Sequence, residues 1–154
     1  MALIRLETRL DCPPDTAARL VMDPQTMRHV ASPLAVMEPV DPPEWPARWQ
    51  ERVYTVRLKI LGLVPAGRQR IDIRLGEEHA EAGAHAFVLH DAGGGDLMTR
   101  WDHWIFATAH EDGGTRYVDR VEVGAGWLTP LAGLMTRAFF AWRQHRLRAL
   151  AAKA

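Results

Sequence analysis

From Leu3 to Leu10 apolar and polar positions alternate. Ile4, Leu6, Thr8 and Leu10 fall on one face, and Arg5, Glu7 and Arg9 on the other. A period of two predicts a half-buried strand. Pro13 and Pro14 end it, and Asp15 or Thr16 is placed to cap a short helix through Ala17, Leu20, Val21 and Met22. Asp23-Pro24 breaks that helix, and a second short one is expected near Gln25 to Val30. Five prolines between Pro33 and Pro46 leave Ser32 to Val40 as a short edge strand at most.

Clean alternation then resumes. Trp49 to Ile60 sets Tyr54, Val56, Leu58 and Ile60 against Glu51, Thr55, Arg57 and Lys59. Arg68 to Leu75 sets Ile71, Ile73 and Leu75 against Arg68, Arg70, Asp72 and Arg74. Ala84 to His90 reads as a strand with Phe87 and Leu89 together. Leu97 to Thr108 and Thr115 to Val123 read as a hairpin across an acidic Gly-Gly turn. Gly62 to Gly67 and Ala92 to Asp96 read as turns.

After Gly126 the period lengthens to 3.6. Leu128, Leu131, Leu134, Met135, Ala138, Phe139 and Trp142 form the apolar stripe of one long helix, with most of its arginines off that stripe. The order strand, two short helices, about six strands, long helix predicts an antiparallel sheet with helices on one face. At 154 residues this is expected to be one domain spanning 1–154.

Composition removes several functions. Lys+Arg and Asp+Glu both total 19, so the basic footprint of a nucleic-acid binder is missing. The single cysteine, Cys12, excludes an intrachain disulfide and a cysteine-rich metal site. Charges at Arg5, Glu7 and Arg9 interrupt any signal-peptide core, and no apolar run is long enough to cross a bilayer. A reducing cytoplasm and no stable membrane insertion are therefore expected. The seven histidines show no recognised ligand spacing, and the glycine clusters fit no phosphate-binding pattern, so neither metal nor cofactor is expected. Ser32 is the only serine, which argues against a serine nucleophile.

Gly113-Gly114-Thr115, then Tyr117, Asp119, Val121 and Val123, then a glycine loop and a long helix, form one recognisable run. Near the start, Cys12-Pro13 and Asp15 to Asp23-Pro24 form another. Together they resemble the START-like superfamily, also called SRPBCC, of polyketide cyclase and birch-pollen-allergen type. The resemblance covers nearly the whole chain. It implies the helix-grip fold: about seven antiparallel strands, curved around a long C-terminal helix, with two short helices. It also implies a cavity between sheet and helix. Where the pollen-allergen branch has a glycine-rich loop, this chain has Asp41 to Pro46.

The resemblance makes the inward-facing residues the candidate ligand contacts. They are Tyr54, Val56, Leu58, Ile71, Ile73, Phe87, Leu89, Trp104, Phe106, Tyr117, Asp119, Leu131, Met135, Phe139 and Trp142. The facing of the last hairpin is the open point. Trp104 and Phe106 are expected to share the inner face with Tyr117 and Asp119, which puts Trp101, His103 and Ile105 outside. A one-residue shift exchanges the two sets. An inward Asp119 needs a partner, for which His103, Arg100 and Tyr117 are the candidates.

Three functions fit these residues. The first is binding or transport of a small hydrophobic ligand such as a lipid, a quinone or a polyketide-like molecule. Loops near Pro43–Trp45, Gly62–Gly67 and Gly124–Gly126 would gate it. The second is a cyclase/aromatase-type enzyme in the same cavity, moving protons through Asp119, Tyr117, Tyr54 or a histidine. The third is a non-catalytic protein-interaction module, with which a homodimer through the sheet is consistent.

Overall fold

The computed structural model describes residues 1–154. Strand β1 (Ala2–Leu10) leads into helices α1 (Pro14–Val21) and α2 (Pro24–Ala31). Seven strands follow: β2 (Ala35–Asp41), β3 (Val53–Ile60), β4 (Val64–Leu75), β5 (Phe87–Asp91), β6 (Gly94–Gly95), β7 (Arg100–Ala109) and β8 (Thr115–Gly124). Helix α3 (Thr129–Ala151) ends the fold. The strands form one open antiparallel sheet in the order β1-β8-β7-β5-β4-β3-β2, with β6 paired to β4. Register shifts at Pro39/Asp41 and Arg57/Lys59 are irregularities of the kind that bend a sheet.

The element types follow the alternation, with local differences. Residues 84–86 are not strand, because His85 takes a positive φ of 62° in a loop. β4 begins at Val64, so the turn is shorter than the glycines suggest. The Gly94–Gly95 turn instead adds a two-residue rung to the sheet. α1 has Pro13 at its N-cap and no side-chain cap, so neither Asp15 nor Thr16 does that work. α2 is capped by Asp23, whose carboxylate accepts from the Gln25 N–H at 2.9 Å.

α3 packs against β1, β8 and α2. It buries Ala132, Gly133, Thr136, Phe140, Gln144, Leu147 and Ala151. A Cβ on Gly133 would lie 2.8 Å from that of Ala2, so glycine is what permits this approach. The expected stripe is therefore displaced: Leu131 is 53% and Leu134 68% exposed. The small Ala132 and Gly133 and the larger Phe140 and Leu147 are buried there instead. No helix is long and apolar enough to cross a membrane.

The core lies mainly on the helix side of the sheet. It includes Leu10, Met22, Val30, Trp49, Tyr54, Val56, Ile71, Ile73, Leu89, Ile105, Tyr117 and Leu147. A smaller cluster occupies the opposite face, where the 76–86 loop covers Trp104, Phe106 and Val118 with Ala82 and His79.

Candidate functional site

Between α2, α3 and the sheet lies a cavity of about 430 Å³, and 23 of its 29 lining residues are hydrophobic. The volume falls within the usual range for small-molecule sites. α3 is tied to β1 and β8 at one side of the sheet, so the opposite wall is formed by β2 to β5 and β7. Ile71, Ile73, Leu89 and Ile105 make the floor, each at most 5% exposed. Leu61, Leu97, Met135 and Ala138 also line it and are exposed, so they mark its mouth.

Of the fifteen candidate residues, seven line this cavity: Leu58, Ile71, Ile73, Leu89, Tyr117, Met135 and Phe139. Tyr54, Val56 and Phe87 pack in or against the adjoining core without reaching its wall. The Tyr54 hydroxyl is engaged elsewhere, accepting from the Gln50 N–H at 3.0 Å. Asp119 is 1% exposed and lies behind the wall, bonded to two residues that line it.

The other four positions are corrected. Trp104 and Phe106 point to the opposite face of the sheet. β7 pairs His103 with Val121, Ile105 with Asp119 and Ala107 with Tyr117, and directly opposed residues in an antiparallel ladder share a face. Trp101, His103 and Ile105 therefore turn toward α3, and all three line the cavity. Trp104 instead stacks flat on His90, with centroids 3.7 Å apart. His90 is held between Asp102 (2.5 Å) and Glu77 (3.0 Å), so this outer cluster has its own polar frame. Leu131 is solvent-exposed for the reason given above. Trp142 lies off the wall, because its indole N–H donates to the Ser32 carbonyl at 3.0 Å and joins α3 to the end of α2.

A buried polar network backs the cavity. His103 Nε2 lies 2.7 Å from Asp119 Oδ1. The Tyr117 hydroxyl donates to the same oxygen at 3.2 Å, and Gln144 Nε2 donates to Oδ2 at 3.0 Å. Burial works against ionisation of Asp119, but the hydrogen bond from His103 leads the opposing influences and the pKa lies below the usual range. Burial lowers the His103 pKa, despite the pull of Asp119 in the other direction. At neutral pH the pair is thus a carboxylate and a neutral imidazole whose Nε2–H is the donor. That leaves Nδ1 as an unprotonated acceptor. Burial raises the Tyr117 hydroxyl well above its ordinary value, with Asp119 adding to the effect.

Three further polar groups line the cavity. Asp91 is pushed up to about 7 by burial, although its Oδ1 accepts from the N–H groups of Asp72 and Gly93. Thr136 is 3% exposed, and its hydroxyl has no hydrogen-bond partner. Arg143 reaches the wall with its guanidinium 4.8 Å from the Phe140 ring centre, and its buried Nε also lacks a partner. The sequence placed Arg143 and Gln144 off the helix face. Their signal was hidden because α3 buries a mixture of small and polar residues. α2 also contributes Thr26, Met27 and Val30, which the sequence pattern marks only as part of a short helix. None of the expected gating loops lines the cavity: Leu61 does so just before Gly62–Gly67, and Trp45 packs on Trp49 instead.

No protein-family model matches the sequence, and no curated protein is detectably similar to it. Solved structures are similar in fold. A START superfamily protein from Mycobacterium smegmatis superposes with a TM-score of 0.67 at 9% identity, covering 99% of each chain. The AHSA1 protein of Silicibacter pomeroyi gives 0.60 at 14% identity, covering 99% of this chain and 100% of that one. The Zhui aromatase/cyclase from a Streptomyces species gives 0.58 at 10% identity, covering 98% and 91%. Identities this low speak to the fold alone.

Proposed function

We propose that this chain, which has the START-like helix-grip fold, binds or carries one small hydrophobic molecule between its sheet and α3. The observation that carries the reading is the apolar cavity of about 430 Å³ with an exposed apolar mouth. A lipid, a quinone or a polyketide-like molecule fits such a lining. Burying apolar surface there contributes about 25 cal/mol per Å² before association costs are met. Native mass spectrometry of protein purified from its own host tests the reading. A species heavier than the 17.3 kDa chain by the mass of one apolar molecule is expected. A chain that stays at its bare mass, and takes up no hydrophobic probe when offered one, contradicts it.

One observation favours a second reading, an enzyme of cyclase/aromatase type. His103 lines the cavity as a neutral imidazole oriented by Asp119, which is the arrangement of a general base with its positioning carboxylate. An aromatase/cyclase also stands among the proteins of similar fold. The readings part on His103→Gln: a carrier keeps both ligand affinity and function, whereas an enzyme keeps affinity and loses turnover.

A further inference from the structure

An apolar cavity needs no cation, yet this one has Arg143 on its wall. Every other arginine close to a carboxylate in the fold is on the surface or partly exposed, as with Arg116 and Glu7 or Arg100 and Glu122. Arg143 makes no ion pair within 4 Å and no hydrogen bond, and its Nε is buried without a partner. Both oxygens of Asp119, a buried carboxylate within electrostatic reach of Arg143, bond instead to His103, Tyr117 and Gln144. Arg143 still acts on that carboxylate through space, helping to hold its pKa down.

The guanidinium carbon lies beside two aromatic rings instead. It lies 4.8 Å from the Phe140 ring centre and 5.8 Å from that of Phe139. Arg143 thus sits beside two rings with its N–H donors unspent. Two helical turns earlier, about 10 Å along the axis, Thr136 presents a second unspent polar group to the same cavity. A buried polar group left unpaired costs roughly 1–3 kcal/mol, which makes two on one wall a specific statement about what the wall receives. The other titratable groups facing the space are Asp91, His103 and Tyr117. None of them pairs with Arg143.

We infer that the ligand of this cavity is an amphiphile whose anionic head sits on the Arg143 guanidinium, with Thr136 as a second polar contact and the apolar body on Ile71, Ile73 and Leu89. The inference rests on the cavity being a ligand site, and it narrows that reading to molecules carrying a carboxylate, sulfonate or similar acid. A purely apolar ligand leaves both groups unpaired.

Two dyes that differ by one group test it. 1-Anilinonaphthalene-8-sulfonate has an anionic head, and N-phenyl-1-naphthylamine is the same skeleton without it. Both are titrated by fluorescence into the wild type and into Arg143→Met, Arg143→Lys and Thr136→Val, each checked for cooperative unfolding. Arg143→Met is expected to weaken the sulfonate dye about 10-fold and to change the neutral dye less than about 2-fold. Arg143→Lys retains most of the sulfonate affinity, and Thr136→Val weakens it about 3-fold. If Arg143→Met does not fold, Arg143→Gln carries the same comparison. Neutral-dye binding with a sulfonate affinity indifferent to residue 143 overturns this inference and leaves the carrier reading standing. Failure of the wild type to bind either dye removes both.

Discussion

His103 and Asp119 face one another across neighbouring strands, with Nε2 and Oδ1 2.7 Å apart and both residues buried. Together with Tyr117 and Gln144 they link β7 and β8 to α3, so the wall of the cavity and the seat of its lid are one hydrogen-bonded unit. Gln144 also donates to the Leu6 carbonyl, which extends the unit to β1.

Removing the carboxylate at the centre strands three donors in a dry environment. Asp119→Ala is expected to lower stability by about 3 kcal/mol, read from urea unfolding. A change below about 0.5 kcal/mol means that the network does not hold the lid.

Trp104 is large and buried but stands on the far side of the sheet from the cavity. Trp104→Ala should cost roughly 3–5 kcal/mol, through lost packing on His90 and Phe106. The affinity of the folded variant for N-phenyl-1-naphthylamine should match that of the wild type. A weakened affinity places the indole on the cavity side after all.

Asp91 provides a pH signature. Its folded pKa of about 7 stands above the ordinary 3.8. The folded state therefore holds a proton that the unfolded state releases, and this contribution to stability is full below about pH 4 and is lost as pH rises toward 7. Its full size, below about pH 4, is on the order of 4 kcal/mol, and little of it is left at neutral pH. Asp91→Asn keeps the acceptor for the Asp72 and Gly93 amides and removes the titration. Its advantage over the wild type in melting temperature should grow between pH 4 and pH 7. An advantage that is flat with pH contradicts this.

Much of the architecture is legible in the sequence because most strands carry charge on one face. β1, β3 and β4 alternate apolar with Arg, Glu or Lys, so both their existence and their facing can be read. β7 cannot be read that way. In Arg100–Ala109 the outer face sets Trp104 and Phe106 among Arg100, Asp102 and Thr108, because the 76–86 loop covers its aromatic part, while the inner face under α3 carries His103. With two large aromatics on the polar side and a histidine on the apolar one, Trp104 and His103 look interchangeable, and only the register with β8 decides. α3 misleads for a related reason. Leu131 and Leu134 are exposed, while Ala132 and Gly133 between them are buried, with Gly133 against Ala2. Size is a poor guide where backbone proximity sets the interface. The network partner Gln144 and the wall cation Arg143 look like solvated helix positions until the fold brings them against β1 and the cavity.

The account stands on one claim, that the space between sheet and α3 receives a small apolar molecule. Titration of N-phenyl-1-naphthylamine into the wild type and into Leu89→Trp, whose indole would fill the floor, tests it most directly. The account predicts saturable one-to-one binding with a Kd on the order of 1–10 µM, weakened at least about 10-fold by the substitution in a chain that still unfolds cooperatively. Equal affinity in the two proteins, or fluorescence that never saturates, would contradict it.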